Sequence, residues 1–448
     1  MLNFLQRPRL ALICVFLLSL PAITPRLYSS DEVQYFAYLR SLWFDHDVSF
    51  QNEYEHFYDA GIARSDGFHE TFLERTTQTG RRINFGTLGC AILWAPFYAV
   101  GDVVAHVSGA PPDGYSKPYV SAVAYGSAFY GFVAVLLGIG CAERLGFNGV
   151  LPGLMVWLGT PLLFYMYVAP PFSHACSAFA VALFVTMWLR VRGEWTPAGL
   201  FALGVTAALM AMVREQDAFF VAGPAVDFVI ALAARRATVA AGLAGVAGGA
   251  GAYVPQAIAY LRLNGHLGPD ASVEHKMSWS APHAIQVLAS PEHGYFIWTP
   301  IAAIAILGLI LMASRPDLRR VALCMLLMVA FQVYIGGSVE SWTVAGGFGQ
   351  RRFVALSVLL VIGLSALAAR VGSTTSGMRR AAIAVAVVAV YWNVALSAEF
   401  AIGLMDRQRL QPARNAYDAF VTIPREAPSL AYRYLFDRKS FYASRGAK

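Results

Sequence analysis

Charged residues are scarce in this sequence: they occupy 14% of its 448 positions, whereas a soluble domain carries about 25%. This shortage excludes an intrinsically disordered chain, a long coiled coil and a soluble nucleic-acid-binding protein, since each of these needs abundant charge. Hydrophobic residues make up 57% of the chain and fall in long blocks, many of them near the ~20 residues that cross a bilayer. The composition therefore predicts an all-α polytopic membrane protein.

Cysteine is also rare, and ionisable residues hardly occur near the middle of the apolar blocks. The five cysteines lie in or beside apolar segments, and none of them pair at the spacing of metal ligands. We expect no disulfide framework and no zinc site. Ion-coupled transporters place ionisable side chains near the membrane midplane. The scarcity of ionisable residues within these apolar blocks therefore favours chemistry at one membrane face over transport through the bilayer.

Twelve apolar blocks are candidates for membrane spans. They cover residues 10–27, 84–107, 118–141, 150–170, 173–191, 197–213, 218–234, 237–262, 296–313, 320–336, 353–369 and 380–401. The first block follows two arginines, as the core of a signal peptide does, but Pro25 and Arg26 interrupt it and no small-residue cleavage site follows. We therefore interpret it as an uncleaved anchor.

Arginine sets the expected topology, because cytoplasmic loops hold an excess of arginine and lysine. The clusters are Arg7/Arg9, Arg144, Arg190/Arg192, Arg235/Arg236, Arg315/Arg319/Arg320 and Arg370/Arg379/Arg380. All of them become cytoplasmic if block 84–107, which contains Pro96, Asp102 and His106, lies at the outer interface instead of crossing. This arrangement predicts about eleven transmembrane helices, a cytoplasmic N-terminus and a C-terminus outside. The net charge of +7 then reflects anchoring arginines more than an anionic partner.

Residues 1–262 are predicted to form a catalytic membrane module, with the first span, an outer loop over 29–117 and spans 2–7. Interfacial helices are expected in that loop, near 31–44 and over 84–107. The part of the loop before the second of these helices holds ten of the chain's 27 acidic residues. Such an acidic loop directly after the first span indicates a role beyond anchoring.

Residues 263–402 are predicted to form a second membrane module, with an outer loop over 263–295 and spans 8–11. Residues 403–448 form a tail with nine Lys/Arg and four Asp/Glu, which this topology places on the periplasmic side. Charge beyond the last span weighs less on orientation than charge in short loops.

The start of the first outer loop reads Ser29-Ser30-Asp31-Glu32. Serine followed by two acids is typical of a helix start, because the N-terminal end of a helix favours negative charge. Tyr35 follows Asp31 by four residues and shares its helix face. Capping of this helix is one interpretation of the two acids, and a catalytic role is the other.

Further polar residues collect at the predicted outer ends of other spans: His174, Arg214, Glu292, His293, Gln350, Arg351 and Arg352. Each has an ordinary structural interpretation, such as an interfacial histidine, an Arg214–Asp217 pair or arginines that extend to lipid headgroups. Arg351 and Arg352 nevertheless break the arginine rule directly after a glycine-rich turn. Because guanidinium groups match phosphate oxygens in a bidentate fork, we expect these two arginines to bind a lipid phosphate.

The motif Asp31-Glu32-x-x-Tyr35 resembles the first outer loop of the GT-C superfamily of integral-membrane glycosyltransferases, which includes the protein O-mannosyltransferases and the lipid A aminoarabinose transferases. The resemblance covers the layout of residues 1–260, where block 84–107 is similar to the family's interfacial helix. The aminoarabinose transferases have Glu-Lys-Pro where this chain has Ile83-Asn84-Phe85, and an aspartate where it has His174. These departures leave the acceptor and any second acid open.

The resemblance implies a glycosyltransferase with its active site on the outer face of a bacterial inner membrane. A polyprenyl-phosphate-linked sugar would be the donor, and a hydroxyl of an envelope glycolipid, glycan or protein would be the acceptor. Asp31 would act as general base, with Glu32 and Tyr35 orienting the reactants. The donor phosphate would be bound by Arg351, Arg352 and Arg214, and the rest of the pocket would comprise His174, Asn84, Glu292, His293 and Gln350.

The resemblance implies no certain cofactor and leaves a divalent metal open, since some GT-C enzymes use one. The bilayer is an expected partner and nucleic acid is not. Two other classes remain open on the residues. One is a flippase or transporter for a polyprenyl-linked or anionic solute, and the other is a lipid-linked glycan polymerase or ligase of another superfamily.

Overall fold

The structure, a computed structural model, describes residues 8–344 and 346–443, and their side chains up to Phe441 except that of Glu274. Arg7 and the last five residues of the basic tail lie outside these ranges. The described part of the chain is helical and contains no β-strand, which confirms the all-α class. The α-helices are α1 Pro8–Ser19, α2 Ser30–Arg40, α3 Gln51–Asp59, α4 Asp66–Phe68, α5 Gly89–Ser108, α6 Lys117–Arg144, α7 Val150–Gly159, α8 Leu162–Tyr167, α9 His174–Val191, α10 Pro197–Val213, α11 Ala222–Ala233, α12 Val239–Asn264, α13 Ala284–Ala289, α14 Tyr295–Trp298, α15 Pro300–Met312, α16 Arg319–Ser338, α17 Ser357–Gly372, α18 Ser376–Ile402, α19 Pro412–Tyr417, α20 Ile423–Phe436 and α21 Arg438–Ala443.

Seven helical stretches within the described ranges are long and apolar enough to cross a membrane. They are Gly89–Ser108, Lys117–Arg144, His174–Val191, Glu215–Ala233, Arg319–Ser338, Arg351–Gly372 and Ser376–Ile402. Four shorter apolar helices accompany them: Pro8–Ala22, Val150–Gly159, Pro197–Val213 and Pro300–Met312. This content agrees with a polytopic α-helical membrane protein, whereas the count of eleven spans stays a prediction. Gly89–Ser108 is long enough to cross, so its placement at the outer interface also stays a prediction.

Contacts divide the chain into two compact units. Unit 1 comprises Met1–Ile23, Phe132–Val168 and Trp279–Lys448, and unit 2 comprises Thr24–Gly131 and Ala169–Ser278. Each unit combines separate stretches of the chain, and the first helix and residues 132–168 group with the C-terminal part. The two modules expected from the sequence stay a prediction.

Unit 1 has two distinct ends. At one end Arg9 forms an ion pair with Glu143, which is in the last turn of α6, and the guanidinium of Arg315 lies 5.5 Å from the ring centre of Phe147. At the other end, beyond α1, the backbone carbonyl of Ala22 accepts a hydrogen bond from the Tyr434 hydroxyl at 2.7 Å. The C-terminal tail therefore lies at the end of unit 1 opposite to the Arg9 cluster.

In unit 2, Arg192 and His174 lie at opposite ends of α9. Beyond the last residue of α9, the Arg192 Nε donates to Asp227 at 2.9 Å, and the Trp188 indole donates to the same carboxylate at 3.0 Å. The 18 residues of α9 span about 27 Å, close to the ~30 Å hydrocarbon core of a bilayer. His174, the first residue of α9, thus lies at the end of unit 2 away from Arg192.

Close helix packing in unit 2 depends on glycine. A Cβ atom added to Gly204 of α10 would lie 2.0 Å from the carbonyl oxygen of Gly245 in α12, and one added to Gly248 would lie 2.2 Å from the carbonyl oxygen of Phe201. The two backbones therefore approach as closely as small residues allow at membrane helix interfaces.

Helix α2 begins at Ser30, as expected, but it is more deeply buried than the predicted interfacial helix near 31–44. Seven of its 11 residues are buried, because α3 and α5 pack against it within unit 2. The second expected helix, α5, begins only at Gly89, since the preceding residues form a hydrogen-bonded turn around Asn84.

Candidate functional site

Glu32 caps the start of α2. Its Oε2 accepts hydrogen bonds from the backbone N–H groups of Tyr28 at 2.7 Å and Ser29 at 3.0 Å, the carboxylate half of a capping box. The side chain is fully buried. Burial raises the pKa of Glu32 to about 8, although the two backbone hydrogen bonds and Arg26 act in the opposite direction. The capping interpretation thus describes Glu32, while Asp31 beside it stays partly exposed.

Tyr35 lies one turn after Asp31 and connects α2 to two other elements of unit 2. Its hydroxyl is hydrogen-bonded to the side chain of Ser173, and the charges of Arg214 and Asp31 both act on it. Burial raises the pKa of Tyr35 to about 12, so the phenol keeps its proton at neutral pH. Tyr35 can therefore donate a hydrogen bond to a ligand oxygen beside the Asp31 carboxylate.

Arg214 follows the last residue of α10 and bonds to His174. One guanidinium nitrogen donates to His174 Nδ1, and the other donates to Gln216 Oε1 at 3.2 Å. Because arginine is always a donor, Nδ1 must accept, and the ring proton of a neutral His174 lies on Nε2. The contact fixes both the ring orientation and the direction of the guanidinium.

Asp217 does not simply pair with Arg214 across the turn. It is fully buried, and its Oδ2 accepts a hydrogen bond from the Ser177 hydroxyl of α9 at 2.5 Å. The charge of Arg214 still acts on it. Asp217 thus fastens the turn that carries Arg214 to the helix that begins with His174.

Arg26, which is not among the residues predicted from the sequence, is a further cation of this site. Its guanidinium lies 5.2 Å from the ring centre of Tyr28, whose ring contacts Phe172 edge-on at 6.2 Å. Phe172 in turn stacks on His174 at 5.6 Å. The signal was present, because Arg26 lies at the predicted outer end of the first span and breaks the arginine rule as Arg214 does.

Asn84 shapes the wall of the site. Its Nδ2 donates to the carbonyl of Gln34 at 3.1 Å, and its Oδ1 accepts from the backbone N–H of Gly86 at 2.7 Å. A Cβ atom on Gly86 would lie 3.4 Å from the Tyr35 ring, so this turn runs directly along Tyr35. Asn84 positions the chain beside Tyr35, and both of its polar atoms are engaged in doing so.

Four of the predicted residues, Asp31, Tyr35, His174 and Arg214, are therefore brought together in unit 2. We call this group, with Arg26, the unit 2 cluster. It presents a carboxylate, a phenol, an imidazole and two guanidinium groups at one end of the unit. The described residues contain no group of three or more His, Cys, Asp or Glu side chains that could hold a metal ion.

The remaining predicted residues belong to unit 1, where His293 holds a loop. His293 is buried in a left-handed conformation (φ 62°) and stacks on Trp298 at 4.5 Å. Its Nε2 donates to the carbonyl of Gly347 at 3.0 Å, and the Gln350 amide donates to the carbonyl of His293 at 3.4 Å. Burial lowers the pKa of His293 to about 4, so the ring is neutral at physiological pH.

This loop leads directly to the two predicted phosphate ligands. Arg351 packs on Gly347, where a Cβ atom would lie 3.0 Å from the arginine Cδ. Arg352 donates to the carbonyl and to the hydroxyl of Ser341, both at 3.0 Å. Glu292 is half-buried, and its backbone N–H donates to Ser290 Oγ at 3.1 Å. His293 and Gln350 thus support the loop of Arg351 and Arg352.

Unit 1 also contains an apolar groove of about 850 Å³ between α7, α15, α17 and α18. Its walls are aliphatic apart from Tyr391 and Arg379. A groove of this composition suits an alkyl or isoprenoid chain better than a polar substrate.

No family model matches this chain, and a search of curated proteins finds no similar sequence.

Proposed function

We propose that the protein is a GT-C-type glycosyltransferase, which moves a sugar from a polyprenyl-phosphate carrier to a hydroxyl acceptor. The observation that supports this best is the unit 2 cluster. A partly exposed carboxylate lies beside a protonated phenol, and two guanidinium groups lie within the same network. Transfer from a phosphate carrier needs both a base for the acceptor and positive charge for the leaving phosphate.

In the proposed reaction Asp31 accepts the proton of the acceptor hydroxyl. The acceptor oxygen then forms a bond to C1 of the sugar, the bond between C1 and the phosphate oxygen breaks, and its electron pair leaves with the phosphate. Tyr35 donates a hydrogen bond that orients one of the reacting oxygens. Glu32 acts indirectly: its hydrogen bonds with the backbone N–H groups of Tyr28 and Ser29 fix the start of the helix that carries Asp31.

Arg214 is the best-placed group to stabilise the leaving phosphate. His174 and Gln216 fix its guanidinium, so no reorganisation is needed when negative charge develops. Arg26 adds a second positive charge on the far side of the Tyr28, Phe172 and His174 rings. Arg351 and Arg352 of unit 1 remain, by their residue type, a proposed pair of phosphate ligands.

The proposed orientation follows from the arginine-rich ends of both units. We place those ends in the cytoplasm and the unit 2 cluster on the outer face of a bacterial inner membrane. The proposed acceptor is therefore an envelope glycolipid, glycan or protein.

The test is sugar transfer by the purified protein in lipid nanodiscs, with polyprenyl-phosphate sugars labelled on the sugar. Label that moves to one class of envelope acceptor supports the proposal. A parallel assay in sealed proteoliposomes follows the intact donor from one leaflet to the other. Passage of intact donor without any transfer would assign the protein to the transporters instead.

A further inference from the structure

The C-terminal tail folds back along α18. The Asn415 amide donates to the carboxylate of Glu399 at 2.7 Å, and the Tyr391 hydroxyl donates to the carbonyl of Ala419. Phe420 packs on Tyr391 with ring centres 5.4 Å apart. As the tail advances from 415 to 420, its partners on α18 therefore move back from 399 to 391, and the tail runs antiparallel to this helix.

The length of α18 fixes the depth of the tail. Its 27 residues extend about 40 Å, which exceeds the ~30 Å hydrocarbon core by about 10 Å. Tyr391 lies 11 residues before the end of α18 at Ile402, a distance of about 16 Å along the helix. Even if all the excess length projects on this side, Phe420 lies about 6 Å inside the hydrocarbon core. A tilt of α18 would carry it deeper.

Helix α20 continues the tail with one buried side and one exposed side. Ile423 and Leu430 are buried against unit 1, and Tyr434 on the same side donates to the carbonyls of Ala22 and Tyr167. The exposed side carries two aromatic residues: Tyr432 is 64% and Phe436 75% accessible. Arg425 and Ser429 lie on this same side, seven residues before Tyr432 and Phe436, whereas Glu426 lies about 80–120° around the helix from the two aromatic residues.

Lipid is the occupant that fits the exposed aromatic side. Tyr417 and Phe420, 60% and 51% accessible, extend the face toward α18, a helix apolar enough to cross a membrane. Aromatic side chains concentrate at membrane interfaces, and interfacial helices bury one apolar face about 5–10 Å deep. Arg414 and Arg425 of this segment are exposed, and their positive charge complements anionic headgroups.

We propose that Pro412–Phe436 is an interfacial helical segment. Its face of Tyr417, Phe420, Tyr432, Leu435 and Phe436 lies in the lipid of the leaflet where α18 ends, and its exposed basic residues contact anionic headgroups. The segment ties the end of α18 to the end of α1 at the membrane surface. The exposed arginines of this segment thus serve as headgroup contacts, which accounts for basic residues at the end of unit 1 opposite to the Arg9 cluster.

Spin labels on single cysteines test this proposal in nanodiscs of phosphatidylcholine, with and without phosphatidylglycerol. Tyr432→Cys and Phe436→Cys probe the aromatic side, and Glu426→Cys is the matched control on the polar side, in a Cys14→Ser background. Labels at 432 and 436 should collide with oxygen and be shielded from a water-soluble nickel chelate, whereas the label at 426 should show the reverse. Phosphatidylglycerol should move the labels at 432 and 436 deeper into the bilayer, and Arg425→Gln should reduce this shift in depth.

Two results would overturn the proposal. Labels at 432 and 436 that are as accessible to the nickel chelate as the label at 426 would place the helix in water. Labels shielded from both collision partners would place a second protein chain on this face. Size-exclusion profiles and helical content of the labelled proteins show that the tail variants are folded. The result is independent of the proposed enzymatic activity.

Discussion

Replacing Glu32 by glutamine tests whether this carboxyl group is a buried, protonated cap. Burial raises the pKa of Glu32 from 4.5 to about 8, so the folded protein binds this proton more tightly than the unfolded chain does. The resulting stabilisation is fully present below pH 4.5 and is lost as the pH rises to about 8. Each unit of pKa shift is worth about 1.4 kcal/mol, so the shift from 4.5 to about 8 contributes at most about 5 kcal/mol to the free energy of unfolding. Glutamine keeps an acceptor for the backbone N–H groups but does not titrate.

The assay is thermal unfolding followed by tryptophan fluorescence in detergent between pH 5 and 8.5. Wild type should lose apparent Tm across this range, by on the order of 10 °C if the full free energy applies, while Glu32→Gln should show a clearly flatter profile. Glu55→Gln, which alters an exposed glutamate of α3, is the matched control and should follow wild type. Identical profiles for Glu32→Gln and wild type would refute the buried-cap account.

The remaining predictions concern packing, the loop of unit 1 and the unit 2 cluster. Gly204→Ala should destabilise the protein by about 1–3 kcal/mol in denaturant unfolding, because its Cβ would lie 2.0 Å from a carbonyl oxygen of α12; Gly251→Ala, which meets open space, should not destabilise it, since alanine is favoured over glycine in a helix by about 1 kcal/mol. Since burial lowers the pKa of His293 to about 4, this group opposes the Glu32 effect as the pH falls from 6.5 toward 4, and the Tm of His293→Gln should rise relative to that of wild type over this range; a constant difference in Tm would contradict this assignment. Arg214→Lys keeps the charge but not the fork that holds His174, so label transfer should fall at least about tenfold; unchanged transfer would remove Arg214 from the proposed site.

Apolar periodicity and block length were enough to predict the helical class and the places of most helices. The helix start at Ser30 was also predictable, because capping signals are local in sequence. Burial of α2 was not predictable, since it depends on α3 and α5 covering the helix within unit 2. The 150–170 block likewise forms two helices, because the helical conformation is interrupted between Gly159 and Leu162.

Residue types at span ends predicted part of the unit 2 cluster. The broken arginine rule selected Arg214, and the local motif selected Asp31 and Tyr35. The same rule applied to Arg26 would have found the second cation. Neither periodicity nor spacing gives the direction of a side chain, so the inward carboxyl of Glu32, which distinguishes a cap from a reactant, was visible only in the fold.

The most direct test of the central claim is the rate of label transfer by Asp31→Asn in nanodiscs under single-turnover conditions. Loss of the base should reduce the rate by about 10²–10⁴-fold while donor binding and the thermal transition are kept. Asp66→Asn, which alters an exposed acid of the same loop, should transfer label at the wild-type rate. Transfer by Asp31→Asn at the wild-type rate would contradict the proposed role of the unit 2 cluster.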